Sequence, residues 1–232
     1  MDEQNFISAV WRDALAIIQK YPLATILPAA VLGALAEAPA YLIADPHLLD
    51  NALTYLTAAF AYYLYLAYAE GIAEKAEQRM DRIASRDMLS ELRRAMPFVP
   101  RVLLAALVTL SLASAAIGLL VVPGVWLFTR WALSTPVICK ERLGPVVALR
   151  RSNELVGGRF WFVLGTATLA FALEEALVHA GASAGFLVTG SHTWAEWIGG
   201  SMVAALVIPL AAFTTSIAYS RVAKPAEPIE GS

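Results

Sequence analysis

Glu174 and Glu175, with His179 one helical turn further on, are the residues of this chain that most invite chemistry. Side chains four apart share a helix face, so Glu175 and His179 supply part of a metal-binding set. A carboxylate pair beside a histidine also suits acid–base work in a membrane-embedded hydrolase. Neither set is complete. The remaining histidines, His47 and His192, fall in loops, and no arginine directly follows the glutamate pair. No metal site and no cofactor are expected, with Glu175 and His179 the nearest approach to a metal pair. No phosphate-cradling glycine loop is present to support ATP-driven chemistry. A hydrolase is kept as the enzyme alternative.

A second constellation is electrostatic. The stretch PGVWLFTRWALSTPVICKE, residues 123–141, reads as a membrane-crossing helix, yet it carries Arg130. A charge near the bilayer centre costs about 2.5–3.5 kcal/mol on insertion scales, so it is kept where partners or water reach it. At a rise of about 1.5 Å per residue, Arg130 lies about 9 Å below the outer end of its helix. The same rise puts Glu37, Glu174 and Glu175 about 22–24 Å above the opposite ends of theirs. In a hydrocarbon core about 30 Å thick these levels nearly coincide. The expectation is an intramembrane charge cluster in which Arg130 pairs with Glu37 and with one of the two adjacent glutamates. A packing device is the preferred reading, because these charges can pair off internally; a polar transport path is the other.

The elements that must hold these residues follow from hydropathy. The chain has 232 residues, 59% hydrophobic and only 16% charged, against about a quarter charged in soluble domains. Apolar runs lie near 22–43, 51–70, 98–122, 123–139, 160–182 and 193–219. Most reach the roughly 20 residues needed to cross a bilayer, and the fourth is short. The fold class expected is an all-α integral membrane protein, residues 1–222 forming one domain of six transmembrane helices paired as three hairpins. Residues 223–232, rich in proline and polar groups, form a disordered tail. The acidic start, with the first apolar run only after Tyr21, predicts no cleaved signal.

Charge sets the orientation. Of 17 Lys and Arg residues only Arg130 lies inside a run away from its ends; the rest gather in the N-terminal segment, in the second and fourth connections, and in the tail. The alternate turns hold none. By the positive-inside rule both termini are cytoplasmic. Each outward-going helix is preceded by an amphipathic stretch: NFISAVWRDALAIIQKYP, SRDMLSELRRAMPFVPR and GPVVALRRSNELVGGRFW. These are expected to lie in the headgroup plane as cytoplasmic elbow helices. In the third, Pro145 suits a helix start and Gly157-Gly158 a helix stop. The basic segments point to anionic lipid headgroups as partners, with no nucleic acid and any protein partner undetermined. Tyr62, Tyr63, Tyr65 and Tyr68 fall on several faces and read as packing residues. Cys139, the single cysteine, is a helix-end filler.

One stretch of about forty residues is similar to a known family. Pro123-Gly124, Arg130, Pro136, Glu141, Ala148, Arg150, Arg151, Ser152, Leu155, Gly158, Phe160 and Trp161 fall on its pattern. It resembles the bacterial polytopic family found free-standing and as the membrane domain fused to glycerophosphoryl diester phosphodiesterases. The resemblance implies a bacterial inner-membrane protein in lipid or envelope physiology. It carries no catalysis, because the phosphodiesterase barrel is not in this sequence. It makes Arg150, Arg151, Ser152 and Arg159 the headgroup-contacting candidates. The function expected is non-enzymatic handling or sensing of lipids or amphiphiles, or a membrane-partner role. The alternatives are a transporter-like path at Glu37, Arg130, Glu174 and Glu175, and the embedded hydrolase.

Overall fold

The computed structural model describes residues 3–42, 48–78, 85–189 and 194–223, and among these nearly every residue is helical and none is in a strand. His47, His192 and the tail lie outside the described residues, as does the side chain of Glu37. Eleven helices follow one another: α1 Glu3–Lys20, α2 Pro22–Leu42, α3 Leu48–Glu77, α4 Ser85–Ala95, α5 Val99–Leu119, α6 Val121–Trp131, α7 Ser134–Glu141, α8 Pro145–Gly157, α9 Phe160–Val163, α10 Leu169–Thr189 and α11 Trp194–Ala223. Among the described residues three stretches are long and apolar enough to cross a membrane: Asp87–Gly118, Phe160–Gly185 and Ile198–Ala223. A fourth is reached if α1 and α2, bent by 89°, are taken as one span.

The packing is that of helices in an apolar solvent. Leu107, Leu177 and Leu206 are exposed, whereas Thr25, Thr109, Thr214 and Ser216 are buried. Much of the interior is alanine. Without a hydrophobic drive between helices, small residues and buried hydroxyls are what bring backbones together. Thr109, Thr166 and Thr215 donate to the carbonyl four residues back, which meets their need for a partner inside their own helix. The central element is α11, packed against α1, α2, α3 and α10. It crosses α10 at glycine: a Cβ on Gly181 would lie 2.9 Å from the Gly199 carbonyl oxygen.

Two proline effects shape the site. Pro28 has no N–H to give the Ala24 carbonyl, and the Tyr68 hydroxyl donates to that oxygen at 2.7 Å instead. Tyr65 donates to the next carbonyl, Thr25, at 2.9 Å. Pro136 likewise cannot bond back to Ala132. The run expected to be one helix over 123–139 is therefore two, α6 and α7, broken at Ala132–Leu133, and neither is long enough to span. Arg142, at φ 57°, then turns the chain out of α7 and into α8.

The three amphipathic stretches differ. The first is α1, which turns sharply into α2 and buries Val10 and Ala14. It docks through Trp11, whose Nε1 donates to the Gly165 carbonyl at 3.2 Å. That carbonyl belongs to a π-helical turn, Leu164–Thr168, between α9 and α10. A widened turn leaves carbonyls open to outside donors. The second is α4, continued through a 3₁₀ turn at Met96–Phe98 into α5 within one apolar stretch. The third is α8, begun at Pro145 and ended at Gly157–Gly158 as the sequence predicts.

Candidate functional site

Two cavities among the described residues lie at different levels of the bundle. The first, about 360 Å³, lies among α2, α3, α5, α10 and α11. Its walls are mostly alanine and leucine, among them Leu32, Leu103 and Leu107, with Tyr62, Glu174 and Ser201 as polar points and the exposed Glu175 at its edge. Glu174 is 4% exposed. Its Oε2 accepts from the Tyr62 hydroxyl at 3.1 Å. The Ser201 hydroxyl is buried and has no hydrogen-bond partner among the described residues. An unpaired hydroxyl in an apolar setting costs about 1–3 kcal/mol, so this wall has hydrogen-bonding capacity to offer.

The second cavity, about 550 Å³, lies at the charged end, among α3, α4, α7 and α11. Glu70, Glu74, Glu77 and Glu91 line it opposite Lys140, Arg94 and Arg142. Glu70 is buried. Its Oε2 accepts from Ser216 at 2.7 Å and lies 3.5 Å from Lys140 Nζ. Lys140 also donates to Ser216 and Ser220, each at 3.1 Å, and Ser220 donates to Glu77 at 2.8 Å. The result is a continuous chain from Glu70 to Glu77 along α3 and α11. On the α4 side, buried Glu91 lies 3.2 Å from Lys75 and 2.8 Å from Arg94. Gly71 leaves the room that this carboxylate occupies. Buried charges are tolerable when paired and hydrogen-bonded in this way.

Between the two lie smaller spaces with shared walls. One of about 170 Å³ is lined by Tyr62, Tyr63, Thr135 and Phe171. A gap of about 10 Å³ follows, lined by Leu66, Glu70, Thr135, Phe171 and Thr215. A space that size holds about one water molecule.

The intramembrane cluster expected from depth is not assembled as expected. Arg130 donates through Nη1 to the Asn153 side chain at 3.2 Å and stacks 4.9 Å over the Trp126 ring. Among the described residues it forms no ion pair with Glu174 or Glu175. The cause is the break at Ala132–Leu133: α6 is a short helix against α8, so counting residues from a helix end does not give a common depth. Ser152 reinforces that contact by donating to the Arg130 carbonyl at 2.9 Å. Glu37 sits on α2, with its side chain outside the described residues. Glu175 and His179 face outward together, 74% and 79% exposed, with His179 Nδ1 beside the Glu175 carbonyl at 2.8 Å. Among the described residues no three potential ligands gather as a metal site would require.

The headgroup candidates separate equally clearly. Arg151 pairs with Glu141, which also accepts from Tyr219, and with Glu154. Arg159 donates at 2.8 Å to the Arg221 carbonyl near the end of α11, where unpaired carbonyls attract a cation. Arg221 in turn pairs with Asp13 of α1. Only Arg150 of the three arginines is exposed without an ion pair among the described residues.

Glu70, Lys140, Ser216 and Ser220 escaped the sequence reading. Their signal was present: Tyr62, Leu66 and Glu70 recur every fourth residue on α3, and Ser216 and Ser220 are four apart in a mostly apolar helix. No family model, no curated protein and no solved structure matches the chain, so its function has to be read from this geometry and from the sequence.

Proposed function

We propose that the chain is a non-enzymatic protein of the bacterial inner membrane that binds a membrane amphiphile in the apolar cavity. One observation carries this: a mostly apolar space of about 360 Å³ with Glu174 and an unpartnered Ser201 hydroxyl on its wall. Small-molecule sites have this make-up, apolar walls with a few placed polar groups. The amphiphile's chain fills the apolar part, and its hydrogen-bonding head meets Glu174, Tyr62 and Ser201. The topology that goes with this is six membrane passes in three hairpins, the fourth a broken pass made by α6 and α7 together, with α1 and α8 as cytoplasmic elbows and α4 running on into α5. Both termini then face the cytoplasm, as the segregation of Lys and Arg supports. A place in envelope lipid physiology is what the pattern over residues 123–161 would imply, and no family model matches it.

Photocrosslinking in native membranes tests it, using an amphiphile with a photoactivatable chain. Adducts are expected on the peptides that bear Tyr62 and Ser201, and Ser201→Phe, which fills the cavity, removes them. Adducts spread evenly over the outer leucines and unchanged by Ser201→Phe would refute the reading.

A second reading is a transporter-like path, favoured by the gap at Leu66 and Thr135 that shares walls with both flanking spaces. That path runs through Glu174, Tyr62 and Glu70, and does not use Arg130. Ligand flux in proteoliposomes that rises on Leu66→Ala supports it.

A further inference from the structure

We propose that the groove between α5, α6 and α8 binds one anionic phospholipid, its phosphate held by Arg150 beside Arg130 and its acyl chain along Leu104, Val108, Trp126 and Val146. This site is separate from the amphiphile cavity and does not rest on it. Leu103 and Leu107 of α5 face that cavity, whereas Leu104 and Val108 face the groove.

The groove encloses about 640 Å³ and is almost wholly apolar. Leu104, Trp126 and Val146 are exposed along it, and Arg150 and Asn153 stand at its polar edge. Arg130 meets that edge through its contacts with Asn153 and Trp126. Its guanidinium is half-buried, and its Nε is enclosed without a hydrogen-bond acceptor. Among the described residues no carboxylate lies within ion-pair distance of Arg130 or Arg150. The neighbouring Arg151 makes the contrast, since it is neutralised twice, by Glu141 and Glu154. Arg150 at the mouth of an apolar groove, with Arg130 behind Asn153 and neither facing an anion among the described residues, is complementary to a phosphate that carries an acyl chain. Trp126 adds an amphipathic ring of the kind that settles at headgroup level. The Ser152 bond to the Arg130 carbonyl ties α8 to α6 and keeps the groove's walls at fixed spacing.

The test uses the full chain in nanodiscs of phosphatidylglycerol or phosphatidylcholine, read by native mass spectrometry after release and by melting temperature. One phosphatidylglycerol is expected to be retained about tenfold better than phosphatidylcholine, the effect of one or two charge-assisted bonds. Arg150→Ala, an exposed change that leaves the fold intact, removes the preference, and Val146→Trp, which fills the groove, removes the retained lipid. Equal retention of both lipids, or an Arg150→Ala protein that keeps the preference, overturns the proposal. So does competition by free glycerol phosphate, which would make the ligand a soluble anion. The counter-charge is tested apart from lipid retention. If Glu37→Gln lowers the melting temperature as far as Arg130→Gln, and phosphatidylglycerol raises neither, Glu37 neutralises Arg130 and the proposal fails.

Discussion

The two cavities share α3 and α11 yet solve opposite problems. At the charged end, each buried carboxylate meets a cation and at least one further donor. Glu70 has Lys140 and Ser216, and Glu91 has Lys75 and Arg94. In the apolar cavity Glu174 has one hydroxyl and no cation among the described residues, and Ser201 has no partner. The first region is satisfied by the chain itself. The second is left short of partners, and a region left short is where a ligand adds most, since its groups meet needs the protein does not. Charge density is therefore a poor guide to function here. The most heavily charged part of the interior is its most self-sufficient part.

The largest expected effect breaks the self-sufficient side. Lys140→Met strands Glu70 and is expected to cost about 3–5 kcal/mol, seen as a lower melting temperature in detergent. The double variant Glu70→Gln/Lys140→Met is expected to recover most of that loss. If the single and double variants melt alike, the pairing at the charged end is not what holds it together.

A smaller effect tests the helix crossing that both regions depend on. Gly181→Leu pushes a side chain against Gly199 and Val203, at an expected cost of about 1–3 kcal/mol. The same thermal melt reads it, and Gly118→Leu, at an exposed position where a Cβ meets nothing within 4 Å, serves as the silent control.

Water content sharpens the comparison further. Cys139 lines the charged cavity and is half-buried. That thiol is mostly enclosed, so the probe is Glu74→Cys on the exposed wall of the same cavity in a Cys139→Ala background, which a thiol reagent added at the charged end is expected to modify. Ser201→Cys in a Cys139→Ala background is expected to stay unmodified. Equal labelling of the two would erase the distinction between a wet and an apolar cavity.

The last change is at Tyr62. Tyr62→Phe leaves the buried Glu174 carboxyl without the hydroxyl it accepts from, a loss of about 1–3 kcal/mol in melts. Its effect on amphiphile crosslinking is expected to be the larger of the two. A variant that melts lower yet keeps full crosslinking would move Glu174 from the binding wall to the packing.

Several elements were legible because their signals are local. Pro145 and Gly157–Gly158 bound α8 where proline and glycine act on their own backbones. The end of α1 before Pro22, and the apolar cores of α5, α10 and α11, follow in the same way. The break at Ala132–Leu133 had a local cause in Pro136, but hydropathy averaged over a window passes across one missing hydrogen bond. Tyr65 and Tyr68 read as packing residues, yet they donate to α2 carbonyls, one of them freed by Pro28. That role needs two helices to be adjacent, which no spacing within one helix can state.

By itself the sequence determined an all-helical chain with spans apolar enough for a membrane, with its Lys and Arg gathered in alternate connections. Those properties depend on composition and on periodicity along a single helix. Only the tertiary structure decided which charge meets which. Arg130 goes to Asn153 and Trp126, Glu174 to Tyr62, and Glu70 to Lys140 and Ser216. Partners in a bundle are chosen by the order, rotation and breaks of neighbouring helices, and these emerge only when the helices pack.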